Sequence, residues 1–70
     1  MDWIGTPESS NIIQFGYDES AGILTVEFKT GSTYEYFDVP EIVFQQMKAA
    51  PSKGQFLAQE IKGRYRYARR

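Results

Sequence analysis

The chain contains no cysteine and no histidine. The first absence excludes disulfides and thiolate zinc sites, and the second removes the commonest metal ligand and the usual general base. Ser9, Ser10, Ser20, Ser32 and Ser52 therefore have no histidine to activate them as nucleophiles. The glycines are scattered singly, so neither familiar phosphate-cradling loop spacing occurs. The D-x-D-x-D-G pattern of a calcium loop is missing as well. No stretch approaches the roughly 20 apolar residues of a membrane span, and Met1-Asp2-Trp3-Ile4-Gly5 does not open a signal peptide. These absences predict a soluble, cytoplasmic protein that is not an enzyme, with no cofactor, no metal, no membrane contact and no small-molecule substrate.

Seventy residues make one domain. A chain of this size buries only about 60% of the surface it exposes when unfolded, so its core is thin. Aromatic residues reach 16%, which argues against disorder. The net charge of −1 conceals an uneven distribution. Nine acidic and three basic residues precede Lys62, giving the body about −6. Lys62, Arg64, Arg66, Arg69 and Arg70 then follow with no acid among them.

Residues 1–9 read as a lead-in with neither a helical nor a strand period, from which Trp3 and Ile4 can dock on a core. Asn11 to Tyr17 reads as a first strand, and Asp18-Glu19-Ser20-Ala21-Gly22 as a turn. Ile23 to Lys29 alternates, with Leu24, Val26 and Phe28 on one face and Thr25, Glu27 and Lys29 on the other. A third strand follows at Thr33–Phe37. Pro40 suits the first position of a helix, with Glu41 beside its positive end and Ile42, Val43, Met47 and Ala50 as the apolar stripe. Pro51 ends that helix, and Ser52-Lys53-Gly54-Gln55 has the spacing of a capping box for a second. That second helix carries Phe56, Leu57 and Ile61 inward and stops near Gly63. The expected architecture is α+β, a three-stranded antiparallel meander followed by one or two short helices on one face, in the order β-β-β-α-α.

Tyr34-Glu35-Tyr36 places two tyrosines on one face of a strand. Such a pair can stack unpaired bases, or it can pack in the core. The preceding turn decides between them, because a shift of one residue exchanges the faces that align. A two-residue loop at Gly31-Ser32 sets both tyrosines beside Thr25 and Glu27. A three-residue loop, Lys29-Thr30-Gly31, needs a left-handed residue and has glycine there. It pairs Ile23 with Phe37 and Thr25 with Glu35, and gathers Tyr34 and Tyr36 with Leu24, Val26 and Phe28. The second register assembles the apolar groups better, which leaves the stacking platform as the minor reading. Glu27 and Glu35, the nearest approach to a catalytic carboxylate pair, then lie on the solvated outer face with no acid–base role.

Lys62-Gly63-Arg64-Tyr65-Arg66-Tyr67-Ala68-Arg69-Arg70 interleaves cations with aromatics. Lys62, Arg64, Arg66, Arg69 and Arg70 can neutralise phosphates while Tyr65 and Tyr67 stack on bases. The same segment can dock on the acidic body, meet an acidic partner protein, or remain solvated. Its alternation also permits a fourth strand that buries Tyr65 and Tyr67. RNA and an acidic protein are thus the two partner classes, the second with a sheet edge or helix face as its docking surface.

The residues in their order resemble one family. Ser10-Asn11-Ile12-Ile13 through Gly16-Tyr17-Asp18 matches its opening. Leu24-Thr25-Val26-Glu27-Phe28, Gly31, Tyr34-x-Tyr36, Val39-Pro40 and Ser52-Lys53-Gly54 through Phe56 and Ile61 then follow. This resembles the KTSC domain, found at the C-terminus of some lysyl-tRNA synthetases and as a stand-alone small bacterial or phage protein. The likeness spans about Ser10 to Tyr65, with the Tyr-x-Tyr as its hallmark. Residues 66–70 lie outside it as a basic tail. The resemblance implies no enzyme activity and an association with RNA that falls on Tyr34 and Tyr36.

Overall fold

The computed structural model describes residues 3–70, so Met1 and Asp2 of the lead-in lie outside the described residues. Five antiparallel strands form one sheet in sequence order: β1 (Trp3–Gly5), β2 (Ile12–Asp18), β3 (Ile23–Phe28), β4 (Thr33–Tyr36) and β5 (Tyr67–Arg69). Two short helices, α1 (Glu41–Ala49) and α2 (Lys53–Phe56), come between β4 and β5, and α2 runs into a π-helical turn at Leu57–Ile61. The α+β class and the antiparallel meander are as expected, but the sheet has five strands rather than three. The two additional strands are its edges. β1 falls in the lead-in, where the sequence shows no period, whereas β5 falls where the alternation of Tyr65 and Tyr67 permits a fourth strand. At three residues each, their extended form is set by the neighbour they pair with.

The β2–β3 turn is built by Asp18, whose carboxylate accepts from the Ser20 N–H and hydroxyl at 3.1 and 2.7 Å and from the Ala21 N–H at 3.3 Å. The Ser20 hydroxyl, followed by the backbone donors, holds that carboxyl below its ordinary range. In the β3–β4 hairpin the register is that of the three-residue loop. Thr25 faces Glu35 and Val26 faces Tyr34, and the Gly31 N–H donates to Phe28 at 2.9 Å. Gly31 has φ +93°, a conformation that glycine adopts without strain.

All helical segments cover one face of the sheet. The buried core is Ile12, Phe15, Leu24, Val26, Phe28 and Tyr36 from the strands, with Val39, Met47, Leu57 and Ile61. Each such side chain contributes about 1.5–3 kcal/mol by leaving water. An irregularity in the β2–β3 ladder between Ile12 and Gln14 explains why Ile12 and Phe15, three residues apart, both point inward. In α1 the sequence places Ile42 on the apolar stripe, but Ile42 is 62% exposed. Ile42 and Phe44 flank Val43 on opposite sides of the helix, and the sheet takes the larger one. Phe44 meets Phe15 edge-on at 5.9 Å and stacks on Tyr17 at 5.0 Å. Pro40 is the N-cap of α1 rather than its first helical residue, with ψ 150°.

Ser52 caps α2 as its spacing suggests, accepting from the Gln55 N–H at 3.2 Å. Lys53 turns back instead of outward, and its ammonium donates to the Lys48 and Ala50 carbonyls at 2.9 and 2.7 Å. It thereby satisfies carbonyls that the end of α1 leaves open. Gly54 admits Asn11, whose Oδ1 would lie 2.8 Å from any Cβ at that position. The Ser-Lys-Gly run thus closes α1, starts α2 and seats the loop before β2.

Candidate nucleic-acid interface

The basic segment begins where the π-helical turn ends. The Lys62 N–H bonds the Leu57 carbonyl at 2.9 Å, and Gly63 reverses the chain at φ +81°. The chain then returns along β4. Phe37 donates to the Arg66 carbonyl at 2.9 Å and Arg70 donates to Thr33 at 2.8 Å, with Tyr36 facing Tyr67 and Tyr34 facing Arg69 between them. Residues 66–70 therefore add a strand to the sheet rather than trailing from it.

Pairing sorts the tail by parity, because successive side chains of a strand point to opposite faces. Tyr67 and Arg69 join Tyr34 and Tyr36 on the face that carries the helices. Arg66, Ala68 and Arg70 join Glu35 and Phe37 on the other. There Arg70 pairs with Glu35 at 3.0 Å, and Arg66 reaches Asp38 at 3.5 Å and lies 6.0 Å from the Phe37 ring. Both ion pairs are exposed enough to be worth little individually, but each gives its arginine an acidic neighbour. Among the described residues Lys62, Arg64 and Arg69 have no acidic partner within 4 Å. The sequence grouped five cations, and the fold separates three from two.

The aromatics are sorted as well. Tyr36 is 1% exposed and belongs to the core. Tyr34 is half-buried between Phe28, edge-on at 5.5 Å, and Tyr67, nearly parallel at 5.5 Å with 7° between the rings. Tyr65 is half-buried against the core. Tyr67 is 61% exposed, so the extra strand forms without burying it. The flat surface that this cluster offers to a ligand is thus the outer ring of Tyr67, backed by Tyr34, rather than the Tyr34/Tyr36 pair.

A cleft opens along this cluster. It has a volume of about 360 Å³ and is lined by Tyr34, Tyr36, Lys62, Gly63 and Tyr67. A hollow beside it is lined by Phe28, Thr30 and Ser32, and a second, at the sheet edge where the two faces meet, by Phe37, Arg64, Tyr65 and Arg66. The Lys62 ammonium lies 5.7 Å above the Phe28 ring. Burial, and then the neighbouring Tyr34 and Tyr67 hydroxyls, push the Tyr36 pKa up to about 12. The sequence places Phe28 in the core, Thr30 and Ser32 near the hairpin turn and Gly63 at a helix end, and none of them at a binding site. Phe28 alternates with the core, and only the Gly63 turn brings Lys62 back above it.

Glu27 and Glu35 lie on the outer face, as expected, where Glu27 accepts from the Gln14 side chain at 2.8 Å. The described residues hold no group of three acids able to bind a metal ion, and none of their helices is long and apolar enough to cross a membrane.

A model of the KTSC domain family matches residues 8–65. The lysine–tRNA ligase of Nostoc punctiforme is 48% identical over 61 residues, which are 87% of this chain but only 11% of that protein. A protein of Tsukamurella paurometabola is 44% identical over 59 residues, 84% of this chain and 88% of that one. The crystal structure of a KTSC domain protein from Yersinia pestis is similar with a TM-score of 0.92 at 33% identity, covering 99% of this chain and 96% of that one. The resemblance carried by the Tyr-x-Tyr and Ser-Lys-Gly residues is thereby confirmed, and the chain belongs to the KTSC domain family.

Proposed function

We propose that this domain is a cytoplasmic, non-catalytic binding module for single-stranded RNA, and that β5 is its contact strand. The observation that carries this reading is the arrangement of one exposed tyrosine ring, Tyr67, stacked on Tyr34, with Lys62 lining the cleft beside it and Arg69 opposite Tyr34 on the same face of β5. Exposed aromatics bind bases through their faces and cations hold the backbone, a combination that tolerates any sequence. Each phosphate contact releases counterions and makes affinity fall with salt. The relatives named lysine–tRNA ligase carry a matching segment within proteins named for an RNA substrate, which supports the same class of ligand. The acidic body gives little long-range attraction, so the expected affinity is modest.

A fluorescence anisotropy titration with a labelled oligouridylate of about ten nucleotides, within the usual site-size range, tests this reading. The chain should bind at low salt, with a log–log salt slope of about −2 for three free cations. Deleting residues 66–70 should weaken binding more than tenfold while circular dichroism still reports the fold. Absence of binding at low salt would remove the proposal.

A second reading has its own observation. The ladder to β4 uses the backbone of Arg66 and Arg70, so that of Tyr67 and Arg69 faces the open edge. An extended acidic segment of a protein could add there as a sixth strand. Binding of such a peptide, and none of RNA, would favour that reading.

A further inference from the structure

Tyr36 has a property that base stacking does not use. It is 1% exposed, yet it lines the cleft between Tyr34, Lys62, Gly63 and Tyr67. Buried phenols ordinarily find a hydrogen-bond partner. Tyr17 illustrates this, since its hydroxyl donates to the Val39 carbonyl. Among the described residues the Tyr36 hydroxyl has no such partner. Nor is it sealed, for the one fully enclosed side-chain oxygen without a partner among the described residues is Thr25 Oγ1, on the opposite face. The Tyr36 oxygen therefore accounts for the sliver of this residue that meets the cleft.

The cleft lining fits one ligand chemistry. It includes three phenols and one ammonium but no carboxylate. With its pKa pushed up to about 12, the Tyr36 hydroxyl stays protonated and available as a donor at neutral pH. Donors and a cation without a counter-anion call for an acceptor that carries negative charge. The Tyr67 ring beside them calls for a flat group attached to that anion. Another cleft, lined by Thr6, Glu8, Ser9, Lys48, Ser52 and Lys53 among others, has no phenol and includes a carboxylate, and its Lys48 ammonium lies over the Phe44 ring. Its Lys53 ammonium is spent on two carbonyls, and its Thr6 hydroxyl donates to Ile12 at 2.7 Å.

We propose that the cleft is a phosphate subsite, in which the Tyr36 hydroxyl and the Lys62 ammonium hold one phosphoryl group of a nucleotide whose base stacks on Tyr67. This rests on the reading of β5 as an RNA contact strand and assigns the anion-holding atoms of that site. The Tyr-x-Tyr then has two duties, since Tyr34 backs the stacking ring and Tyr36 supplies the donor beneath it.

The test compares uridine 5′-monophosphate, uridine and the oligouridylate on the wild-type chain, Tyr36→Phe and Lys62→Gln. Mononucleotide binding is read from the amide NMR shifts of Gly63 and Tyr67, and oligonucleotide binding from anisotropy. Tyr36→Phe keeps the buried ring, and Lys62→Gln alters an exposed residue, so both should melt with the wild type. The monophosphate should move both amides and bind at least tenfold better than uridine. Each substitution should weaken the monophosphate and the oligonucleotide about tenfold, the usual cost of a hydrogen bond to a charged group. Monophosphate binding no better than uridine, or unchanged in both variants, overturns the subsite. An oligonucleotide that binds equally to all three chains overturns the subsite alone and leaves β5 as the RNA contact. Monophosphate held in the cleft with no binding of the oligonucleotide supports the subsite, makes a free nucleotide its occupant and removes the RNA reading.

Discussion

β1 and β5 close opposite edges of one sheet with three residues each, yet they are held by different forces. β1 is held by buried side chains as well as by its ladder to β2. Ile4 packs against the core, and just beyond the strand the buried Thr6 hydroxyl reaches the Ile12 carbonyl while Ser9 accepts from the Ile12 N–H at 3.1 Å. Residues 3–7 carry no charge. β5 is attached through its backbone, and all three of its side chains are exposed. The edge fixed by burial keeps one large side chain open to a ligand, Trp3 at 42% exposed, with no cation next to it in residues 3–7. One fixed by its ladder keeps its side chains free, and here those side chains are cationic and aromatic. Equal length and equal topology thus conceal a structural edge and a binding edge.

The comparison can be broken most severely at β5. Deletion of residues 66–70 should reduce oligonucleotide binding by more than tenfold and uncover Tyr36. A parallel thermal melt should show a loss of some degrees but a cooperative transition. Ile4→Ala should do the opposite. Removing this partly buried side chain should cost about 1–2 kcal/mol, at the low end for core truncations, and leave binding unchanged. Chemical denaturation together with anisotropy checks both halves, and a binding loss in Ile4→Ala would blur the two roles.

Tyr67→Ala sharpens the contrast from the other side. Losing one stacked base should weaken binding by about 1–3 kcal/mol, while an exposed substitution should move stability by no more than about 0.5 kcal/mol. A finer effect concerns alkaline pH. Tyr36 ionises near 10 in the unfolded chain and near 12 in the fold, so the folded state holds its proton longer. Its contribution to stability is full below pH 10 and is lost as pH rises from there to 12. Tyr36→Phe should therefore flatten part of the decline in stability measured between those values.

The centre of the fold was more legible than its edges. Alternation at Ile23–Phe28 and a glycine at the only place a three-residue loop requires one determined the β3–β4 register, and with it the inward direction of Tyr34 and Tyr36. Ser52 and Gln55 announced α2 through a cap that is local and thus visible in four residues. The ladder irregularity around Ile13 was not legible, because one extra residue leaves no compositional mark. Neither was β1, and β5 was legible only as one alternative carried by the alternation of Tyr65 and Tyr67, because the extended form of both depends on partners elsewhere in the chain. The candidate site was half legible for the same reason. Interleaved cations and tyrosines marked residues 62–70 as unusual, but only the fold reveals that Lys62 lines a cleft with Tyr67, that Arg69 shares the face of Tyr67, and that Arg66 and Arg70 are paired with Asp38 and Glu35.

That division by face is the central claim, and one measurement addresses it. The double variants Lys62→Gln/Arg69→Gln and Arg66→Gln/Arg70→Gln remove equal charge, the first from cations beside Tyr67 and Tyr34 without an acidic partner and the second from the two arginines paired with Asp38 and Glu35. Titrated against the oligouridylate at two salt concentrations, the first should lose more than tenfold in affinity and most of its salt dependence, and the second should stay within about threefold of the wild type. Equal losses in the two variants, or a larger loss in the second, would show that net charge rather than the β5 face governs binding.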